Sequence, residues 1–124
     1  MKKDCIFCNL EDKEIIAKNQ HCYAIFDKFP VSKGHTLIIP FRHVETFFDA
    51  SKEEKFAIIE LIDEIKEILD RRYSPDGYNI GVNVGKAAGQ TIMHLHIHVI
   101  PRYKGDVEDP TGGVRGVIPD KMKY

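Results

Sequence analysis

No stretch of this 124-residue sequence is apolar for long enough to cross a membrane. Met1-Lys2-Lys3-Asp4-Cys5 brings two lysines but no apolar run behind them, so no secretory signal is expected and the reading is a cytoplasmic protein. An excess of one charge is also missing. Lys and Arg number 18 against 19 Asp and Glu, a formal net charge of −1, and no basic stripe interleaved with aromatics exists. That argues against polymeric nucleic acid as partner, whereas a single nucleotide needs no such stripe. Cysteine is scarce: three cannot all pair, and without export they make no disulfide framework. Repeats, linkers and low-complexity segments are absent. One domain over 1–124, with residues 103–124 as an irregular Gly- and Pro-rich tail, follows from length and composition.

The elements present are regular enough to place. Cys22–Asp27 reads as a strand, Lys28–Gly34 as a turn, and His35–Ile39 as a second strand ended by Pro40, the two close enough to pair antiparallel. Ser51 and Glu54 have capping-box spacing, and apolar residues at 58, 61, 62, 65, 68 and 69 keep the helical period, which predicts a helix over 51–72. After the turn Ser74-Pro-Asp-Gly77, apolar Tyr78, Ile80, Val82 and Val84 alternate with Asn79, Gly81 and Asn83, the pattern of a two-faced strand. Gly85–Gly89 is a loop, and Met93–Ile100 is a last strand closed by Pro101. Strands, one long helix, then strands predict an α+β domain: an antiparallel sheet with the helix packed on one face.

The chemistry concentrates in His94-Leu95-His96-Ile97-His98-Val99-Ile100. In a strand the three imidazoles share one face, about 7 Å apart in succession, with Leu95, Ile97 and Val99 directed to the core. Each ring offers a nucleophile, acid, base or metal ligand near neutral pH. Equal spacing along a flat strand is awkward for closing all three on one tetrahedral ion. The middle residue alone has a polar neighbour on either side, which favours His96 as the reacting group. Upstream, Cys5-Ile-Phe-Cys8 admits three readings: a redox pair, half of a zinc site, or chance. Cys22 lies in an apolar stretch and reads as a small core residue.

The H-x-H-x-H-x-x run, with Gly89-Gln90-Thr91 and Asn83 before it and Phe26-Asp27 and Gly34-His-Thr-Leu-Ile-Ile-Pro40 further upstream, is similar to the signature of the histidine-triad (HIT) nucleotide hydrolases and transferases. The resemblance covers roughly residues 5 to 104. It implies that His96 attacks the α-phosphorus of a nucleotide conjugate and that water then releases the nucleotide from a covalent nucleotidyl-histidine. The reaction itself calls for an uncharged, well-aimed nucleophile with fixed donors around the phosphate. The far nitrogen of His96 must be held, as by a backbone carbonyl. By resemblance His98 donates to a phosphate oxygen; Gly89, Gln90 and Thr91 bind the phosphate and the departing oxygen; Asp27 accepts from the ribose hydroxyls; and Asn83 supports the ribose or phosphate. Ile6, Phe7, Leu10 and Ile25 match positions that sandwich the base, a purine without selection between adenine and guanine.

Many bacterial HIT proteins, and the galactose-1-phosphate uridylyltransferases, resemble this chain in a Cys2His2 zinc site, which here implies Cys5, Cys8, His43 and His94 as ligands. The resemblance also implies a homodimer, with Tyr78–Val84 and the helix 51–72 at the contact. The substrate it implies is a dinucleoside polyphosphate or a nucleoside phosphoramidate, with Arg102, Lys104 and Arg115 offered as cations for extra phosphates. A nucleotidyltransferase or phosphorylase, or a low-turnover nucleotide-binding module, stand as alternatives.

Overall fold

Five strands and one helix carry the chain, seen here in a computed structural model that describes residues 4–11 and 14–124. The strands are β1 (Ile15–Lys18), β2 (Cys22–Phe26), β3 (Thr36–Pro40), β4 (Gly77–Val82) and β5 (Ile97–Arg102), with α1 (Lys52–Tyr73) between β3 and β4. They form one sheet in the order β1-β2-β3-β5-β4, antiparallel throughout. The expected α+β architecture, an antiparallel sheet with one long helix packed on it, is the one observed. No helix of the described residues is long and apolar enough to cross a membrane.

The helix starts where its cap dictates. The Ser51 hydroxyl accepts the Glu54 N–H, and the Glu54 carboxylate accepts the Ser51 N–H, so each satisfies an otherwise orphaned donor. Glu54 is itself buried, and the Arg42 guanidinium closes on its carboxylate at 2.8 and 3.1 Å. That pair holds the Glu54 carboxyl below the usual carboxylate range, against the opposing effect of burial. Ser74 ends the helix in the left-handed conformation at φ 49°. Between these caps, Ala57, Ile58, Leu61, Ile65 and Leu69 form the stripe buried on the sheet, against Cys22, Ala24, Ile38, Leu95, Ile97 and Val99. The opposite face of the sheet has a smaller core of Phe7, Tyr23, Ile25, Leu37 and Ile39. The candidate site residues stand on that second face.

Two elements depart from the pattern expected. β1 had no signal: it is a four-residue edge strand with a register irregularity between Ile15 and Ala17, too short and uneven to show a period. β5 begins at Ile97, so His94, at a bend, and His96 lie in the segment leading into it. β5 also runs through Pro101 to Arg102. Its registered pairs with β3 stop at Thr36 opposite Val99, so Pro101 lies where only β4 flanks the strand, a place that tolerates a missing N–H. The tail contains only short 3-10 turns, Gly113–Val117 and Pro119–Lys121. It is tied down by Tyr103 donating to the Lys33 carbonyl at 2.6 Å and by a Lys123–Asp109 ion pair.

Candidate active site and metal centre

His96 and His98 keep the alternation expected of them, with Leu95, Ile97 and Val99 buried in the helix-side core. Their rings lean together, centroids 5.2 Å apart, rather than standing a full two-residue repeat from one another. His94 is different: its ring is fully buried. Phe7, held through its carbonyl by the Tyr23 hydroxyl, packs against both the His94 ring at 5.9 Å and the His96 ring at 5.2 Å. The triad therefore divides in two, His94 on one side and His96 with His98 on the other.

The hydrogen bonds assign the protons. The Nδ1 of His96 is 2.9 Å from the His94 carbonyl, which can only accept, so Nδ1 carries the hydrogen and Nε2 of the neutral ring keeps its lone pair. The Val31 N–H donates to Nδ1 of His35 at 3.2 Å, so the hydrogen of neutral His35 sits on Nε2. That Nε2 lies 2.9 Å from Nδ1 of His98, which must accept, leaving the His98 hydrogen on Nε2. Burial pushes the His98 imidazole from the ordinary 6.5 to about 4, helped by His96 and His35, so it is neutral near pH 7. Burial lowers His35 as well, opposed by Asp27, whose Oδ2 is 3.5 Å from its Nε2. The result is a lone pair on one imidazole beside an N–H on the next.

Both rings line a cavity of about 320 Å3. Its apolar end is formed by Ile6, Phe7, Leu10 and Ile25, the four residues named from sequence, together with Leu37 and Ile92. Asp27, Asn83, Gly89 and Thr91 supply polar lining. The Asp27 Oδ1 accepts the Phe29 N–H at 2.9 Å, which fixes the carboxylate at the start of the loop. Gly89 closes a 3-10 turn at φ 94°, a conformation glycine adopts without strain.

Gln90 is held away from the cavity. Its side chain is buried, donating to the Glu45 carbonyl at 2.7 Å and the Ile92 carbonyl at 3.1 Å and accepting the Gly85 N–H at 2.9 Å. The amide thus staples the loop from inside and is not among the groups lining the cavity. His35 is the residue that sequence reasoning passed over. It lay in the quoted Gly34–Pro40 segment without a role, and the pairing of Leu37 with His98 is what brings it alongside.

Across Phe7 from the cavity, one ligand atom from each of Cys5, Cys8, His43 and His94 lies within 4.8 Å of the others. Nδ1 of His94 is 3.2 Å from the Cys5 sulfur and 3.5 Å from that of Cys8, and Nδ1 of His43 is 3.3 Å from Cys8. In a tetrahedral zinc site, bonds of 2.3 Å to sulfur and 2.0–2.1 Å to nitrogen put adjacent S and N about 3.6 Å apart. The observed separations fit. Nε2 of His94 is 2.9 Å from the Pro40 carbonyl, so it carries the hydrogen and directs the Nδ1 lone pair towards the thiols, the outer contact typical of a ligating histidine.

Residues 10–105 match the family model described as the HIT domain. The chain belongs to the HIT family. Relatives of the HIT domain include an uncharacterised HIT-like protein of Methanocaldococcus jannaschii, 42% identical over 84% of this chain and 83% of that protein. AP-4-A phosphorylase of Mycobacterium tuberculosis is 31% identical over 92% of this chain and 60% of its own length. Adenylylsulfatase HINT3 of Arabidopsis thaliana is 34% identical over 86% and 56%. Among solved structures, a HIT family protein from Bacillus anthracis superposes with TM-score 0.78 at 34% identity, covering 86% of this chain and 78% of that one. A Zn-bound histidine triad family protein from Mycobacterium smegmatis superposes with TM-score 0.76 at 32% identity, covering 86% and 80%.

Proposed function

We propose that this HIT domain hydrolyses a purine nucleotide conjugate at its α-phosphorus through a covalent nucleotidyl-His96. The observation that carries the reading is the hydrogen-bond pattern, from which Nε2 of neutral His96 keeps a lone pair while Nε2 of neighbouring His98 takes the hydrogen, both at one cavity. The base lies between Ile6, Phe7, Leu10 and Ile25, and Asp27 and Asn83 serve the ribose side. The His96 Nε2–P bond forms as the bond from phosphorus to the leaving group breaks, and the electron pair departs with that group, which takes a proton from water. His98 and the backbone around Gly89 and Thr91 stabilise the charge on the phosphoryl oxygens. The ring is then a cation, and the His94 carbonyl stabilises it by accepting from Nδ1. Water next attacks phosphorus, the N–P pair returns to His96, and the water's proton leaves.

Zinc is the ion we assign to Cys5, Cys8, His43 and His94, on the donor set, its spacing and the Zn-bound structural relative. With four protein ligands it would have no open position, so its contribution is to tie the N-terminal segment and the His43 loop to the triad segment. We assign a homodimer through the half-exposed edge strand β4, extended by Asn83 and Val84, and α1, since an uncovered edge invites pairing. A monomer in sedimentation at micromolar concentration would overturn that assignment. The cytoplasm is the compartment that suits reduced thiols of this kind.

Acid quench of the protein with a panel of nucleotide conjugates, followed by mass spectrometry, tests the mechanism. The expected product is a nucleotide adduct on His96, lost with time to free nucleotide; an adduct elsewhere, or turnover with none, refutes it. A phosphorylase is the second reading, favoured by the name of the M. tuberculosis relative. It predicts a nucleoside diphosphate when inorganic phosphate is added.

A further inference from the structure

Lys28 is the single lysine or arginine among the described residues that line the cavity of His96 and His98. The strand registers show which end of the cavity it serves. Ile25 pairs with Leu37 and Leu37 with His98, so these three residues form one row across β2, β3 and β5. At about 4.8 Å between neighbouring strands, the two ends of that row stand roughly 10 Å apart. The histidines that face phosphorus are at the β5 end, and Ile25, with its apolar neighbours Phe7 and Tyr23, is at the β2 end.

Lys28 lies just past the end of β2, on a backbone tethered to either side. The Asp27 N–H donates to the His35 carbonyl at 2.9 Å, and the Asp27 carboxylate accepts the Phe29 N–H at 2.9 Å. A fixed backbone thus carries a flexible four-carbon stem at the apolar end of the cavity. Lys66 and Lys123 pair with Asp70 and Asp109, whereas none of the described carboxylates pairs with Lys28.

We propose that Lys28 selects the base, favouring a 6-oxopurine, guanine or hypoxanthine, over adenine. The proposal rests on the nucleotide placement described above, with phosphate at His96 and ribose at Asp27. C1′ of the ribose, which bears the base, adjoins the C2′ hydroxyl that falls to Asp27, so the residue after Asp27 stands beside the base. An ammonium only donates. N7 and O6 of a 6-oxopurine are adjacent acceptors, the pair that lysine and arginine read in guanine. Adenine offers N7 alone and sets its N6 donor against the ammonium. Lys28 is exposed, and water screens the contact, so the preference should be modest, about five- to tenfold.

Calorimetric titration with guanosine, inosine and adenosine 5′-monophosphates tests this without turnover. The first two should bind about five- to tenfold tighter than the third. The kcat/KM values for 5′-phosphoramidates of one common amine should follow the same order. Lys28→Met keeps the apolar stem and should bring the three nucleotides within about twofold of one another, at an unchanged melting temperature. Lys28→Gln, whose amide both donates and accepts, should turn the order towards adenine, the base that glutamine reads through N6 and N7. Equal affinities in the unaltered protein, or an order that persists in Lys28→Met, overturn base selection by Lys28. So does an equal loss for all three nucleotides in that variant, which would place the ammonium on the phosphate. A base preference that Lys28→Met abolishes, with no adduct on His96 from any conjugate, upholds the selection and overturns instead the mechanism of attack.

Discussion

The carbonyl of His94 accepts the Nδ1–H of His96 at 2.9 Å, so the residue whose ring belongs to the candidate metal cluster sets, through its backbone, the tautomer of the residue proposed to attack. Side chain and main chain of one residue thus serve two sites, and substitution separates them. His96→Ala removes the covalent route and should cost several orders of magnitude in turnover. His94→Ala keeps the carbonyl: it should lose zinc by elemental analysis and melt lower, yet retain a measurable adduct on His96. Cys5→Ser and Cys8→Ser should match it in metal content and melting. A full complement of zinc in His94→Ala would sink the ligand assignment.

In the proposed mechanism His35 works through His98. Its Nε2–H supplies the bond that leaves the His98 hydrogen on the cavity side, so His35→Ala should slow turnover by about 10–100-fold, within the range for a positioned proton donor. The double variant His35→Ala/His98→Ala should be no slower than His98→Ala alone, because the first residue has nothing left to position. Multiplied losses in a kinetic double-mutant cycle would show His35 to work independently.

Acid should destabilise the fold in a defined window. The folded-state pKa of His98 is about 4 against an ordinary 6.5, so below 6.5 the unfolded chain binds a proton that the native chain refuses. Stability contributed this way is complete above 6.5 and is lost as pH falls from there through about 4. His35, lowered chiefly by burial, acts with the same sign. Urea midpoints should therefore decline between pH 7 and 4.5, and His98→Gln should decline less steeply. Parallel profiles for the two proteins would contradict the buried, neutral His98.

Gln90 should prove a matter of stability before chemistry. Gln90→Ala leaves the Glu45 and Ile92 carbonyls and the Gly85 N–H without their partner, a loss of about 1–3 kcal/mol for a buried group. The melting temperature should fall by several degrees, and any loss of turnover should come through the displaced Gly89 and Thr91. Unchanged melting with lost activity would return Gln90 to the phosphate.

What was legible in the sequence was what periodicity and capping control. The helix stood within one residue of its bounds because Ser51, Glu54 and a regular apolar stripe specify it locally. β2, β3 and β4 were readable from their apolar runs and turns, and the residues around the cavity through the family resemblance that the histidine run carries. The bonds of Gln90 were not legible because its partners are backbone groups, one of them a carbonyl 45 positions away, and no side-chain pattern marks a backbone group. His35 escaped for the mirror reason: its task depends on strand register, which sets it beside a histidine 63 positions on. The bounds of β5 depended on where β3 ceases to flank it, a property of the neighbouring strand.

Cys5-Ile-Phe-Cys8 places two metal-cluster thiols around a residue of the base cavity and the ring that packs on both His94 and His96. On the proposed assignments its four consecutive positions answer to two unrelated selections, coordination and base contact, with no spacer between them. In a saturation mutagenesis screen that scores survival of function, the segment should behave as one indivisible block, depleted at Ile6 and Phe7 as well as at the cysteines. Exposed positions of comparable residue type on α1, such as Phe56 and Ile59, should not share that depletion when only the monomer's chemistry is scored.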